Sequence, residues 1–377
     1  MDSLDAYKKI IDHLASEHRL RKIPGDADPE HVDLLSNDYL GLAADSDSFR
    51  VEFAKRFPDA TFSSSASRLL SRRNHYHNLL EKRLGELYGK SALLFNSGYH
   101  ANVGIIQALA IPGTLFLADK LVHASAIDGL RLSGADYKRF PHNEISKLKK
   151  LIKLNNDSYE RIIIVVEAIY SMDGDITPLK DIVKLKKQFP KIIIYLDEAH
   201  SFGVRGKKGL GLAEELKLIK DVDIIIGTLG KAAASAGAFA ISSPLMRDYL
   251  VNTCRSFIFS TAVSPAQAAW SLLMLEKIIE SGSRRLHLRE LCSNFAKQLY
   301  RRANIETISE SQIVPIMIGD AVEAVKMASY LQKLGFDCMA IRKPTVAAGS
   351  ERIRISLNAS LSEKDITRLV SAIRNYK

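Results

Sequence analysis

The chain has 377 residues, 46% hydrophobic and 25% charged, with 21 glycines and 11 prolines; this globular composition allows one large core with a smaller companion and excludes collagen, coiled coil and wholesale disorder. The 53 basic against 43 acidic side chains leave a formal charge of +10, scattered in pairs such as Lys207-Lys208 and Arg284-Arg285 between acids, as on a solvated basic surface rather than a nucleic-acid-binding block. Three cysteines, Cys254, Cys292 and Cys338, without C-x-x-C spacing argue against a disulfide framework or a cysteine zinc module and fit a reducing compartment.

Up to Lys22 the chain mixes acids and bases at helical spacing and lacks the apolar stretch of a secretory signal. No run of about 18 apolar residues follows anywhere, so a cytoplasmic protein without a membrane span is expected. Residues 1–45 read as a helix and an extended arm. Next, Ala92-Leu93-Leu94-Phe95 runs into Asn96-Ser97-Gly98-Tyr99, which opens a helical pattern through Val103, Ile105, Ile106 and Leu109. A small-residue turn feeding a helix N-terminus suits a phosphate, and equally an ordinary capped helix.

Three β-branched runs follow at intervals of about 30 residues, the βαβ period of a buried parallel sheet. Ile162 to Val166 ends at Glu167, Ile192 to Leu196 at Asp197, and Ile224 to Ile226 at Gly227-Thr228; residues 178–187 between the first two show helical spacing. The fold class expected is α/β. Ligands then belong beyond the carboxyl ends of the strands, where these polar residues fall. After about residue 285 the pattern becomes helix, short strands and helix, so a large domain at 46–284 and a smaller α+β domain built from 1–45 and 285–377 are expected.

Asp197-Glu198-Ala199-His200 resembles a helicase motif, but the phosphate loop it would need is missing: Gly230-Lys231 has Ile225 and Ala232 at the positions of the first glycine and the hydroxyl. Gly209-Leu210-Gly211 lacks the rest of a dinucleotide fingerprint, and no G-x-S-x-G elbow occurs. His75 and His77, two apart, point to different helix faces and make no metal site. Lys231 lies among small residues that leave room for a bulky planar group. A Schiff-base lysine, an aspartate at a strand end for a pyridine nitrogen and a helix N-terminus for a phosphate are together what pyridoxal 5′-phosphate requires.

From Ser36-Asn37-Asp38-Tyr39-Leu40-Gly41-Leu42 to Arg352-Ile353-Arg354 the sequence resembles the α-oxoamine synthases, fold type I pyridoxal-phosphate enzymes that join an amino acid to an acyl-CoA with loss of CO₂. The resemblance implies a mainly parallel central sheet, Lys231 as cofactor lysine, Asp197 at the pyridinium nitrogen, His200 at the ring hydroxyl and His123 stacked on the ring. It further implies phosphate contacts from Ser97, Gly98, Tyr99 and Thr228, Ser171 near the ring, and Ser260-Thr261 reaching the neighbouring subunit's cofactor in a homodimer with shared sites. Arg354 would hold the substrate carboxylate. The +10 charge gains a partner in the CoA phosphates, with neither nucleic acid nor membrane required.

The loop Ala340 to Ser350, with Thr345 as a substrate contact, resembles that of the family's biotin-pathway branch, which implies L-alanine and a pimeloyl thioester of CoA or carrier protein. Sister branches acting on glycine or serine, and a catalytically weakened paralogue serving as a binding partner, are the alternatives. Ala232-Ala233-Ala234 and Ser63-Ser64-Ser65-Ala66 stand where the family usually has glycine-rich segments, and Arg72-Arg73 where a glycine usually follows Ser71. Losing glycines removes positive-φ options and adds side-chain bulk, so these departures bear on loop shape and acyl selectivity more than on the cofactor chemistry.

Overall fold

The computed structural model describes residues 3–17, 19–26 and 28–376. Its strands in chain order are β1 (Val32–Asp33), β2 (Ser91–Phe95), β3 (Thr114–Asp119), β4 (Asp136–Phe140), β5 (Arg161–Glu167), β6 (Ile192–Asp197), β7 (Ile224–Thr228), β8 (Ala238–Ser242), β9 (Ile313–Met317), β10 (Phe336–Asp337), β11 (Ala340–Ile341) and β12 (Arg352–Ser356). The chain divides into two units: a larger one holding Asp38–Ser171 and Asp175–His287, and a smaller one gathering the two ends, through Asn37 and from Leu288, with Met172–Gly174.

The larger unit is built on a seven-stranded sheet in the order β2-β8-β7-β6-β5-β3-β4. Strands β7, β6, β5, β3 and β4 are mutually parallel, whereas β8 runs antiparallel between β7 and β2. Every residue of β5 after Arg161 is buried, so its isoleucines and valines fill both faces without polar alternation. The helix Gly98–Leu109 turns Ala101, Ile105, Ile106 and Leu109 inward, into a core with Phe116, Ile163, Tyr195 and Ile226. Between β5 and β6 the helix Leu179–Gln188 buries Leu179, Ile182, Val183 and Leu185. Parallel pairing brings Asp119, Glu167, Asp197 and Thr228, the last residues of four neighbouring strands, to one edge of the sheet.

In the smaller unit β9, β12 and β11 form an antiparallel sheet, and β1 pairs with β10 from the far end of the chain. The helix Glu363–Asn375 opens with a capping box in which Ser362 and Asp365 satisfy each other's backbone N–H. Met172–Gly174 is built in tightly. Asp173 pairs with Arg352, and Gly174 has φ +73° with Ile313 O only 1.9 Å from where a Cβ would stand, so glycine is required. Among the described residues no helix is long and apolar enough to cross a membrane, and no disulfide links Cys254, Cys292 or Cys338.

Candidate active site

Asp197 closes β6 and is 8% exposed. Its Oδ2 accepts from Asn102 Nδ2 at 2.8 Å and its Oδ1 from the Ala199 backbone N–H at 2.9 Å. Asn102, one turn into the helix Gly98–Leu109, uses its remaining capacity on Tyr195, whose hydroxyl donates to Oδ1 at 2.7 Å, and on Ser125 Oγ at 2.9 Å. Ser125 closes the chain: its hydroxyl lies 2.8 Å from His123 Nδ1, and its backbone N–H donates to the same nitrogen at 3.2 Å. A backbone N–H only donates, so Nδ1 is the acceptor, the ring is neutral and its proton is on Nε2. Burial pushes the His123 pKa below the usual value in the same direction.

A second chain holds the lysine. Tyr39 Oη lies 2.7 Å from His200 Nδ1, and His200 Nε2 lies 2.7 Å from Lys231 Nζ. Lys231 sits in the turn joining β7 to β8, closed by Leu229 N–H to Gly237 O at 2.9 Å and lined by the buried Ala232 and Ala233. Glu198, between Asp197 and His200, turns the other way. Its carboxyl accepts from the Leu212 and Ala213 backbone N–H groups, both at 2.8 Å, and burial raises its pKa to about 7. Glu167 ends β5 in register with Asp197 and is buried; burial first, then the Asp197 charge, hold its carboxyl well above the usual range.

Ser97 caps the helix Gly98–Leu109 by accepting from His100 N–H at 3.2 Å, leaving the first-turn N–H groups of Gly98 and Tyr99 without helical partners. Tyr99 is half exposed, and its hydroxyl donates to Asp128 at 2.6 Å. Ser260 and Thr261 lie beside the same turn within one chain, since Asn96 Nδ2 donates to Ser260 Oγ at 3.1 Å and to Thr261 O at 2.7 Å. Thr228 ends β7, where its Oγ1 accepts from Gly230 N–H at 3.3 Å. Ser171 is half-buried just after β5. Arg354 and Thr345 belong to the smaller unit: Arg354, buried on β12, donates to Ser356 Oγ at 2.7 Å and Asn37 Oδ1 at 3.0 Å, and Thr345 Oγ1 accepts from Arg21 at 3.0 Å.

Sequence reasoning passed over Tyr39, Asn102 and Ser125. The available signal for Asn102 is a polar residue on the buried face of an otherwise apolar helix stripe; Tyr39 carries none, because its partner His200 is 161 residues away, and Ser125, two residues after His123, has a local signal in that short spacing. Ala234 (φ +45°) and Ser65 (φ +53°) adopt the left-handed backbone that favours glycine, at the cost of local strain.

Asp197 is a buried carboxylate that accepts from neutral N–H donors on both oxygens. A protonated pyridine nitrogen is the partner such a group suits, and the histidines and lysine around it match the rest of the cofactor. Fold and site thus define a pyridoxal-phosphate enzyme of fold type I. Residues 29–373 match the aminotransferase class I and II family. The 8-amino-7-oxononanoate synthase of Haemophilus ducreyi is 45% identical over 351 residues, 91% of this chain and 90% of that one. Among solved structures, the serine palmitoyltransferase of S. paucimobilis with bound PLP–myriocin aldimine superposes with a TM-score of 0.88 at 26% identity, covering 99% of this chain and 98% of that one. The 8-amino-7-oxononanoate synthase of Francisella tularensis does so with 0.79 at 27%, covering 92% and 98%. The chain belongs to the aminotransferase class I and II family as an α-oxoamine synthase, an acyltransferase dependent on pyridoxal phosphate.

Proposed function

We propose that this chain is an 8-amino-7-oxononanoate synthase, condensing L-alanine with a pimeloyl thioester of CoA or carrier protein and releasing CO₂ in biotin synthesis. The observation that carries the choice of branch is the 45% identity to the Haemophilus ducreyi enzyme across nine-tenths of both chains. Bound pyridoxal phosphate supplies an electron sink for the negative charge that develops at the amino-acid Cα.

The residues divide the work. Asp197, oriented by Asn102, holds the proton on the ring nitrogen. His200 would hold the ring hydroxyl oxygen, and neutral His123 would pack against the bound cofactor. Ser97, Gly98, Tyr99 and Thr228 hold the phosphate with N–H and hydroxyl donors at a helix N-terminus. Ser171 approaches the ring, and Arg354 clamps the alanine carboxylate with a charged fork. Lys231 binds the cofactor and moves the α-proton. Thr345 and its loop choose the acyl group.

We further propose a cytoplasmic homodimer with shared sites, Ser260 and Thr261 serving the neighbouring subunit's phosphate. Support comes from an uncovered apolar surface: Phe62, Leu69, Leu70, Tyr99 and Phe259 are 49–86% exposed. They lie on adjoining segments, with Ala262 N–H bonded to Ala66 O and Ser256 Oγ to His100 O.

Thioester consumption across a panel of amino acids tests the reading. L-alanine with a pimeloyl thioester should exceed glycine with acetyl-CoA by at least about tenfold in kcat/KM. Preference for glycine, or for serine with a long-chain acyl-CoA, overturns the branch. Mapping the borohydride-reduced cofactor to a lysine other than Lys231 overturns the site.

A further inference from the structure

Three carboxyl groups close three neighbouring strands: Asp119 on β3, Glu167 on β5 and Asp197 on β6. The outer two are matched. Asp119, fully buried, accepts from the Leu121 and Asn143 backbone N–H groups, both at 2.8 Å, and lies 2.9 Å from His142 Nδ1. The other nitrogen of that ring is 2.6 Å from Asp175 Oδ2. Against the penalty of burial, these two acids raise the His142 pKa to about 10, so Asp119 faces a permanent cation at neutral pH. Asp197 has Asn102 and Ala199 as donors.

Glu167 is matched less completely. It is 3% exposed, a hydrogen bond from the His123 backbone N–H reaches its carboxyl, and its Oε1 finds no partner among the described residues. The charges that face it are Asp119 from β3, Asp197 from β6 and Lys231 from the turn after β7, with neutral His123 above them. Burial and two flanking anions favour the protonated acid; Lys231 alone opposes them.

We propose that Glu167 is a neutral carboxylic acid in the folded protein and that its proton sets the basicity of the free Lys231 amine. With Glu167 protonated, Lys231 faces one negative charge fewer and releases its own proton more readily. Ionising Glu167 would break only its O–H bond, and the added negative charge would be met by a proton retained on Nζ. Glu167 acts through Lys231 and is in that sense a positioning residue. The role of Lys231 rests on the preceding reading; the protonation of Glu167 does not.

The apoprotein provides the test. In infrared spectra of protein labelled with carbon-13 at glutamate carboxyls, the wild type should show a protonated-acid band at neutral pH that is absent from Glu167→Gln; Glu198→Gln identifies the other raised glutamate. An ionised Glu167 at neutral pH overturns the proposal. Acylation of Lys231, read by peptide mass spectrometry, should then proceed at rates within about twofold in wild type and Glu167→Gln. If Glu167 were ionised, the variant would react about tenfold faster, one unit of lysine pKa. As pH rises and the acid band bleaches, wild type should fall about tenfold behind the variant. Rates that separate before bleaching, or stay together after it, overturn the coupling. Should Glu167→Gln fail to fold, wild type against Glu198→Gln still decides the protonation state. A cofactor adduct on another lysine removes the Lys231 half while leaving the infrared result standing.

Discussion

At the amino end of the large sheet, Lys186 Nζ donates to Asp223 Oδ2 at 2.6 Å and Asp221 O at 2.9 Å, Asp223 Oδ2 also accepts from Ile194 N–H at 2.7 Å, and Lys90 donates to Val222 O. A cavity of about 980 Å³ opens there, lined by Glu81, Lys90, Asp223 and Arg247, all already engaged with protein partners. At the carboxyl end the same residue types are arranged differently: Asp197 is held by neutral donors and Lys231 Nζ lies against a histidine nitrogen. Charges matched to each other stabilise a fold, whereas charges matched to neutral groups are held ready for a ligand. Partner chemistry, and not the presence of a cavity, is what distinguishes the two ends.

The sharpest way to break this contrast is a lysine deletion at each end. Lys231→Ala should reduce kcat by about 10³-fold or more, in the range of lost acid–base catalysis, whereas Lys90→Met should leave kcat within about twofold and cost about 1–2 kcal/mol of stability in a urea titration. Equal losses of activity would erase the distinction. Next is Asp197→Asn, expected to lower kcat by about 10²–10³-fold with a smaller change in KM, because the interaction strengthens as charge develops.

Asn102→Ala strands Asp197, Tyr195 and Ser125 at once. It should cost about 1–3 kcal/mol in stability and about tenfold in kcat, one unit of misplacement-sensitive barrier; unchanged kcat would mean Asp197 keeps its orientation unaided. His142 is a matched charge at the reactive end, and its folded pKa of about 10 lies above the usual 6.5. Its contribution is therefore fully present below pH 6.5 and is lost as pH rises through about 10. His142→Gln should flatten that decline in thermal unfolding and lower stability by about 1–2 kcal/mol at pH 6. The smallest effect is Ala234→Gly, which should add about 1 kcal/mol by relieving the left-handed alanine, visible as a small rise in Tm.

The centre of this fold is readable in the sequence because its strands are continuous β-branched runs with a polar residue at each end: β5, β6 and β7 lie where Ile162, Ile192 and Ile224 begin them. The place of β8 is not readable. Ala238-Phe239-Ala240-Ile241-Ser242 carries no mark of being antiparallel or of entering the sheet between β2 and β7. The same division holds at the site. Lys231, Asp197 and His200 stand in local motifs, but the bonds that orient His200 and Asp197 come from Tyr39 and Asn102, which lie far away in sequence.

The pairing of Val32 with Phe336 and Asp33 with Asp337 ties the chain's beginning to a segment made near its end. Strands β2 to β8 can assemble on the ribosome in the order they emerge, with every partner supplied by residue 242. The arm before Asn37 has to wait through almost the whole synthesis, at about 5–20 residues per second, with Leu34 and its neighbours unpaired. Birth order thus separates a scaffold that forms early from a smaller unit, bearing Arg354, that is completed last.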